Sequence, residues 1–334
     1  MSLMLRLARR LGHSLPVVCG LLLAWLLPVA PAHALSCSAS IGNLNFGSVN
    51  VLSGANPLAT ASAPVAVTCS KGLLELPGSA TVCIYLGDGN GGWDGATQRY
   101  LKNGNKTLGY NLYKDAARSQ IWGSTGIFSA SGPKRYVFNS SSTLLILGGT
   151  STINDTIYAS VNPGQAMTPV GSYSSQFTPA HTLVRFASGD VACPASGGSS
   201  ISTFTVTATV VANCVIDAQD LNFGTAGGLA TAVDQSSSLS VTCTNDAPWS
   251  VGLGNGANFS GGRRMRQGST ASYVGYGLYR DAARTQAWST GGGNEATGTG
   301  TGGSQSLTVY GRVPAQSVPA QGTYTDTVVA TVTF

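Results

Sequence analysis

Charge is scarce in this 334-residue chain: Lys, Arg, Asp and Glu make up 9% of it, against about a quarter of an ordinary soluble domain. Helices laced with ion pairs are therefore excluded as its main building element. Arg6, Arg9 and Arg10 stand in the first 34 residues, so beyond them 15 of the 18 basic residues face 13 acidic ones. That balance of +2 is too small to hold nucleic acid. Histidine is scarcer still. His13 and His33 precede residue 35, which leaves His181 in "FTPAHTLVRF", a stretch that reads as strand. A Ser-His-Asp or Cys-His site would rest on that one residue, and no GxSxG, HExxH or phosphate-binding loop occurs. The scattered acids give a carboxylate-pair glycosidase no positive support. The reading is that the chain is not an enzyme and needs no cofactor or metal. Also missing after residue 34 is any apolar run near the ~20 residues of a membrane-spanning helix.

The chain does open with the three parts of a secretory leader: the basic residues just named, an apolar stretch from Leu15 to Leu27, and "APAHA" with small Ala32 and Ala34. Residues 1–34 are expected to be removed, leaving a secreted chain. Cys19 departs with them, and the remaining six cysteines form an even set in an oxidising compartment.

Internal similarity organises the rest. "LNFG" at 44–47 recurs at 221–224, "VTC" ending at Cys69 recurs ending at Cys243, "GYNLYKDAARSQIW" from Gly109 recurs as "GYGLYRDAARTQAW" from Gly275, and "GSY" at 171 recurs as "GTY" at 322. The chain is a tandem duplication. Short, alternating, β-branched runs separated by clusters such as "GDGNGG" (87–92) predict a β-sandwich of antiparallel strands for each copy, with "DAAR" as a single helical turn. Cys37 and Cys69 occupy the positions of Cys214 and Cys243, so each copy is expected to hold its own bridge, worth about 3–4 kcal/mol for a loop of that size. Cys83 and Cys193 are left for each other. Zinc ligation lacks both CxxC spacing and histidines.

Between the copies lies "STFTVTATVVANC", residues 202–214, in which Phe204, Val206, Ala208 and Val210 alternate with threonines; nothing like it precedes Cys37. The N-terminal Cys, "LNFG", "VTC", the "Y-x-LY-x-DAAR-x-x-x-W" pattern and the final "GTYTDTVVATVTF" together resemble the spore coat protein U domain, twice over. Members of that family look like subunits of archaic chaperone-usher pili. Their immunoglobulin-like sandwiches lack a last strand, and a periplasmic chaperone and then a neighbour's N-terminal extension fill the groove.

The resemblance implies an all-β fold of two incomplete, pilin-type sandwiches: an adhesin-type domain over 35–200, a donor strand over 201–212 that completes it, and a pilin-type domain over 213–334. Phe204, Val206, Ala208 and Val210 would fill the first groove, while Val328, Ala330, Val332 and Phe334 line an open C-terminal edge that another chain must cover. A subunit that accepts a strand and has none to offer ahead of Cys37 stands at the end of a fibre. The implied role is a tip adhesin reaching the cell surface through the periplasm. Its partners would be a periplasmic pilus chaperone, an outer-membrane usher and the next pilin subunit.

Copy one also carries insertions. Between Cys69 and "YLG" at 85 it holds "KGLLELPGSATVC", and 35 positions separate Trp122 from Ile157 against 21 between Trp288 and Val309. Leu73, Leu74 and Leu76, Ile127 and Phe128, and Leu144, Leu145, Ile146 and Leu147 are dense for loops and suggest apolar fingers that attach to an abiotic or host surface. For 144–147 a doubly buried strand is an equal alternative. A structural coat or matrix protein, or a carbohydrate-binding module using Trp93 or Tyr100, remain the other functional readings. Asp88, Asn90 and Asp94 are spaced loosely like a calcium loop, but a glycine-rich hairpin accounts for them better.

Overall fold

The computed structural model describes residues 35–71, 78–139, 149–196, 198–199, 201–317 and 320–334. The expected leader lies outside these residues, as do Leu73, Leu74, Leu76, Leu144, Leu145, Ile146 and Leu147.

Most strands follow period-two alternation, while one, Ala80–Leu86, is buried on both faces. In copy one the strands are β1 (Ser36–Ile41), β2 (Leu44–Val49), β3 (Ala59–Lys71), β4 (Ala80–Leu86), β5 (Arg99–Asn103), β6 (Lys106–Tyr113), β7 (Lys134–Phe138), β8 (Gly149–Val161), β9 (Gly171–Phe177), β10 (Thr182–Ser188) and β11 (Phe204–Val210). β1 shows the rule: Cys37, Ala39 and Ile41 are buried and the serines between them are exposed. Eight strands make one sheet in the order β1-β3-β8-β6-β5-β9-β11-β2, and β10-β4-β7 make a second. β1 and β2 stand at opposite ends of the large sheet although only Gly42 and Asn43 separate them, so the sheet must bend round a shared interior. One core results, running from Cys37 through Val67, Leu86, Tyr110, Trp122 and Phe177 to Val210.

Copy two contains β12 (Cys214–Ala218), β13 (Val233–Cys243), β14 (Pro248–Leu253), β15 (Arg263–Arg266), β16 (Tyr273–Tyr279), β17 (Ala296–Thr299), β18 (Ser304–Val313) and β19 (Ala330–Thr333). They form the sheets β12-β13-β18-β16-β15 and β17-β14-β19. Its interior is split between a cluster around Val241, Trp249, Val251 and Trp288 and a smaller one of Leu229, Val274 and Val313. The copies meet where Val170 N–H donates to Asn245 O (3.0 Å), Asn245 Nδ2 donates to Met167 O (2.8 Å) and Lys106 pairs with Asp246.

The structure joins Cys37 to Cys69, Cys214 to Cys243 and Cys83 to Cys193. Trp122 and Trp288 are buried, each donating its indole N–H to a carbonyl across the core, Ile84 O and Val251 O, both at 2.8 Å. Three local expectations change. "DAAR" forms a turn rather than a helical turn in both copies, because Arg118 (φ 55°) and Arg284 (φ 59°) are left-handed, which ends any helix. His181 ends a 3₁₀ turn, Pro179–His181, that the proline initiates just ahead of β10. Tyr113 and Tyr279, whose recurrence at matched positions of the repeat suggests core tyrosines, are half-buried.

Candidate functional site

In copy one β11 is inserted between β2, to which it runs parallel, and β9, to which it runs antiparallel. Phe204 faces Phe177, Val206 faces Ser175, Ala208 faces Tyr173 and Val210 faces Gly171. The four residues expected to fill a groove are all at most 2% exposed. Phe204 lies stacked on Phe177 with ring centroids 4.5 Å apart. The threonines point outward, where Thr205 N–H donates to Asn43 Oδ1 (2.8 Å). Beneath the strand, Leu44, Phe46, Leu101, Tyr110, Tyr173 and Phe177 are buried.

Matching hydrogen bonds align the two copies at this place. Asn90 N–H donates to Gln176 O and Ala257 N–H to Thr327 O; Gly91 N–H donates to Ser175 Oγ and Asn258 N–H to Asp326 Oδ1. Leu221, Phe223, Met265, Tyr276, Tyr324 and Val328 thus repeat the six floor residues of copy one, and all six are half-buried. Among the described residues no strand lies between "LNFG" at 221–224 and the segment 322–328. Neither segment is a strand there, and the second keeps a single bridge, Arg266 to Thr325. The same four letters form β2 in copy one because β11 supplies the ladder. The C-terminal residues sit beside this groove: Val328, Ala330 and Val332 pack on the second core, β19 pairs with β14 along one edge, and Phe334 is exposed.

An arginine ties the groove floor to the opposite sheet in both copies, and repeat matching had not singled it out. Arg99 Nε donates to Gly87 O (2.7 Å) and Nη2 to Leu86 O and Trp122 O (2.9 and 2.6 Å); Arg263 makes the equivalent bonds to Gly254, Leu253 and Trp288 at 2.8, 2.7 and 2.8 Å. Arg99 is fully buried, which pushes its pKa down to about 10, whereas Arg263 is half-buried and shifted in the same direction for the same reason. Tyr276 is held above the usual tyrosine value by burial and by the bond from its hydroxyl to Asp326 (2.7 Å).

Of the residues expected as apolar fingers, the described pair lies against the fold. Phe128 covers the Arg99 guanidinium at 4.8 Å and meets Trp93 edge-on at 5.4 Å. Ile127 lines an open cavity of about 350 Å³ with Asp88, Ser124, Thr125, His181 and Leu183. Trp93 and Tyr100 are half-buried. Asp94 caps its own turn through Ala96, Thr97 and Gln98 N–H, and among the described residues no three His, Cys, Asp or Glu side chains gather as metal ligands. The other two insertions share their anchors: Lys71 pairs with Gly149 and Ala80 with Phe138, so both depart from the same end of copy one. β3 and β8, 13 residues each, separate that end from the contact with copy two by about 40 Å.

The sequence profile of the Spore Coat Protein U domain matches residues 24–179 and 200–331. The chain belongs to that family. Within it, Protein U of Myxococcus xanthus is 36% identical over 175 residues, spanning 47% of this chain and 94% of its own length. Among solved structures the chain is similar to the chaperone-tip adhesion subunit pre-assembly complex from the archaic chaperone-usher Csu pili of Acinetobacter baumannii. That likeness is 16% identical with a TM-score of 0.47, covering 90% of this chain and 100% of the other. It is also similar to the CupB6 tip adhesin from Pseudomonas aeruginosa, at 13% identity and a TM-score of 0.39 over 90% and 94%. Among the described residues no helix is long and apolar enough to cross a membrane.

Proposed function

We propose that the chain is a tip adhesin of a chaperone-usher fibre, whose second domain accepts a strand from the next subunit and whose first domain attaches the cell to a surface. The observation that carries this reading is the pair of grooves. One is filled by β11, and its repeat has half-buried apolar walls with no strand between them among the described residues. Because β11 is engaged within its own chain, it is not available to complete another molecule. An apolar groove between unpaired segments is an aggregation hazard in free solution, so a periplasmic chaperone is required before assembly and an usher to exchange it for a pilin strand. Attachment is assigned to the insertions carrying Leu73, Leu74, Leu76 and Leu144–Leu147, whose shared anchors lie at the end of copy one away from copy two.

Co-expression with the cognate chaperone in a periplasm tests the reading. The expected complex has one chaperone per chain. Two per chain would mean that β11 does not occupy its own groove, and no complex would favour a free-standing coat protein or sugar-binding module.

A further inference from the structure

The two grooves differ at one chemically decisive position. In copy one the inward residue of β9 opposite Val206 is Ser175, fully buried, whose hydroxyl accepts Gly91 N–H at 3.1 Å. In copy two that position is Asp326. Its Oδ1 accepts Asn258 N–H (3.1 Å) and Asn258 Nδ2 (3.0 Å), and its Oδ2 accepts the Tyr276 hydroxyl (2.7 Å). A carboxylate offers about four acceptor sites, so Oδ2, which takes one bond, keeps one over, and half-buried Asp326 shares the period-two face of Tyr324 and Val328.

Resting on the reading of the second groove as a strand acceptor, we propose that Asp326 selects its occupant. The strand it accepts comes from a different polypeptide and places a hydrogen-bond-donating side chain, a hydroxyl or amide, at the position where β11 places Val206. Residues directly opposite in an antiparallel pair project to the same face with Cβ atoms about 5 Å apart, so the incoming side chain lies against the carboxylate. A valine there strips water from the remaining acceptor site and gives nothing back, the arrangement most costly for a charged group. A threonine of the same shape supplies the bond. The chain's own β11 therefore suits the serine floor of copy one and is disfavoured by the carboxylate floor of copy two. This guards against head-to-tail pairing of identical chains.

The test uses the full chain and two labelled peptides, residues 202–211 and the same peptide with Val206→Thr, followed by fluorescence anisotropy. The Val206→Thr peptide is expected to bind at least tenfold more tightly, although it exchanges a methyl for a hydroxyl, and the preference is expected to vanish or invert in the Asp326→Ser chain. Asp326→Asn keeps the side-chain shape should the serine variant fold poorly, and is expected to shrink the preference. Equal binding of the two peptides, or tighter binding of the valine peptide, to the unaltered chain overturns the selection while leaving the groove intact. Binding of neither peptide overturns the strand-acceptor reading together with it.

Discussion

Arg99 and Arg263 make the same three bonds in environments that differ only in cover. Replacing Arg99 with Met takes its donors from the buried carbonyls of Leu86 and Trp122 and from the half-buried carbonyl of Gly87, and a loss of about 3 kcal/mol in copy one is expected. Arg263→Met should cost less, since water reaches that site; chemical denaturation of the two variants measures the difference. Asp155 offers a second residue-level test. Burial pushes its pKa up, but Lys134 at 2.6 Å, Thr156 N–H and the Tyr136 hydroxyl overcome this and hold it below the usual carboxylate value. A depressed folded pKa contributes stability in full above the unfolded value, near 4, and loses it as pH falls through the folded one. Melting temperature should therefore drop below about pH 4, and more gently in Asp155→Asn. Neither arginine was legible in the sequence. The repeats around it were, but that an arginine lies beneath a strand depends on how the sheet closes, which no local pattern states.

At the level of elements, β11 carries the largest consequence. Phe204→Asp sets a charge against Phe177 in a dry interior, and a loss of at least ~4 kcal/mol is expected. The copies should then unfold separately in calorimetry, with copy two unmoved. A single unshifted transition would remove β11 from the folding of copy one. The alternation of 202–210 and its place between the repeats made this strand legible. Less legible was the fate of "LNFG", strand in one copy and coil in the other, because a β propensity is realised only when a neighbour completes the ladder. Asp326 is hidden for a different reason: flanked by Thr325 and Thr327 in "GTYTDTV", it reads as part of a polar stretch, although period two places it on the face of Tyr324 and Val328.

For the whole molecule, polar replacement of Leu73, Leu74 and Leu76 together is expected to abolish attachment to a surface while pili still assemble. Attachment counts and electron microscopy of the same cells would separate the two effects. Normal attachment with normal pili would reject the leucine loop as the contact.

The short passage from Val210 through Val211 and Asn213 to Cys214 joins the strand that completes one domain directly to the first strand of the next. A pull on copy two therefore enters copy one along the axis of β11, between an antiparallel neighbour on one side and a parallel one on the other. Such a load shears both ladders at once instead of peeling them bond by bond. In the proposed tip role, the junction that fills the first groove also serves as a mechanical coupling, with tension between cell and surface carried by the seven residues of β11 held between two neighbours.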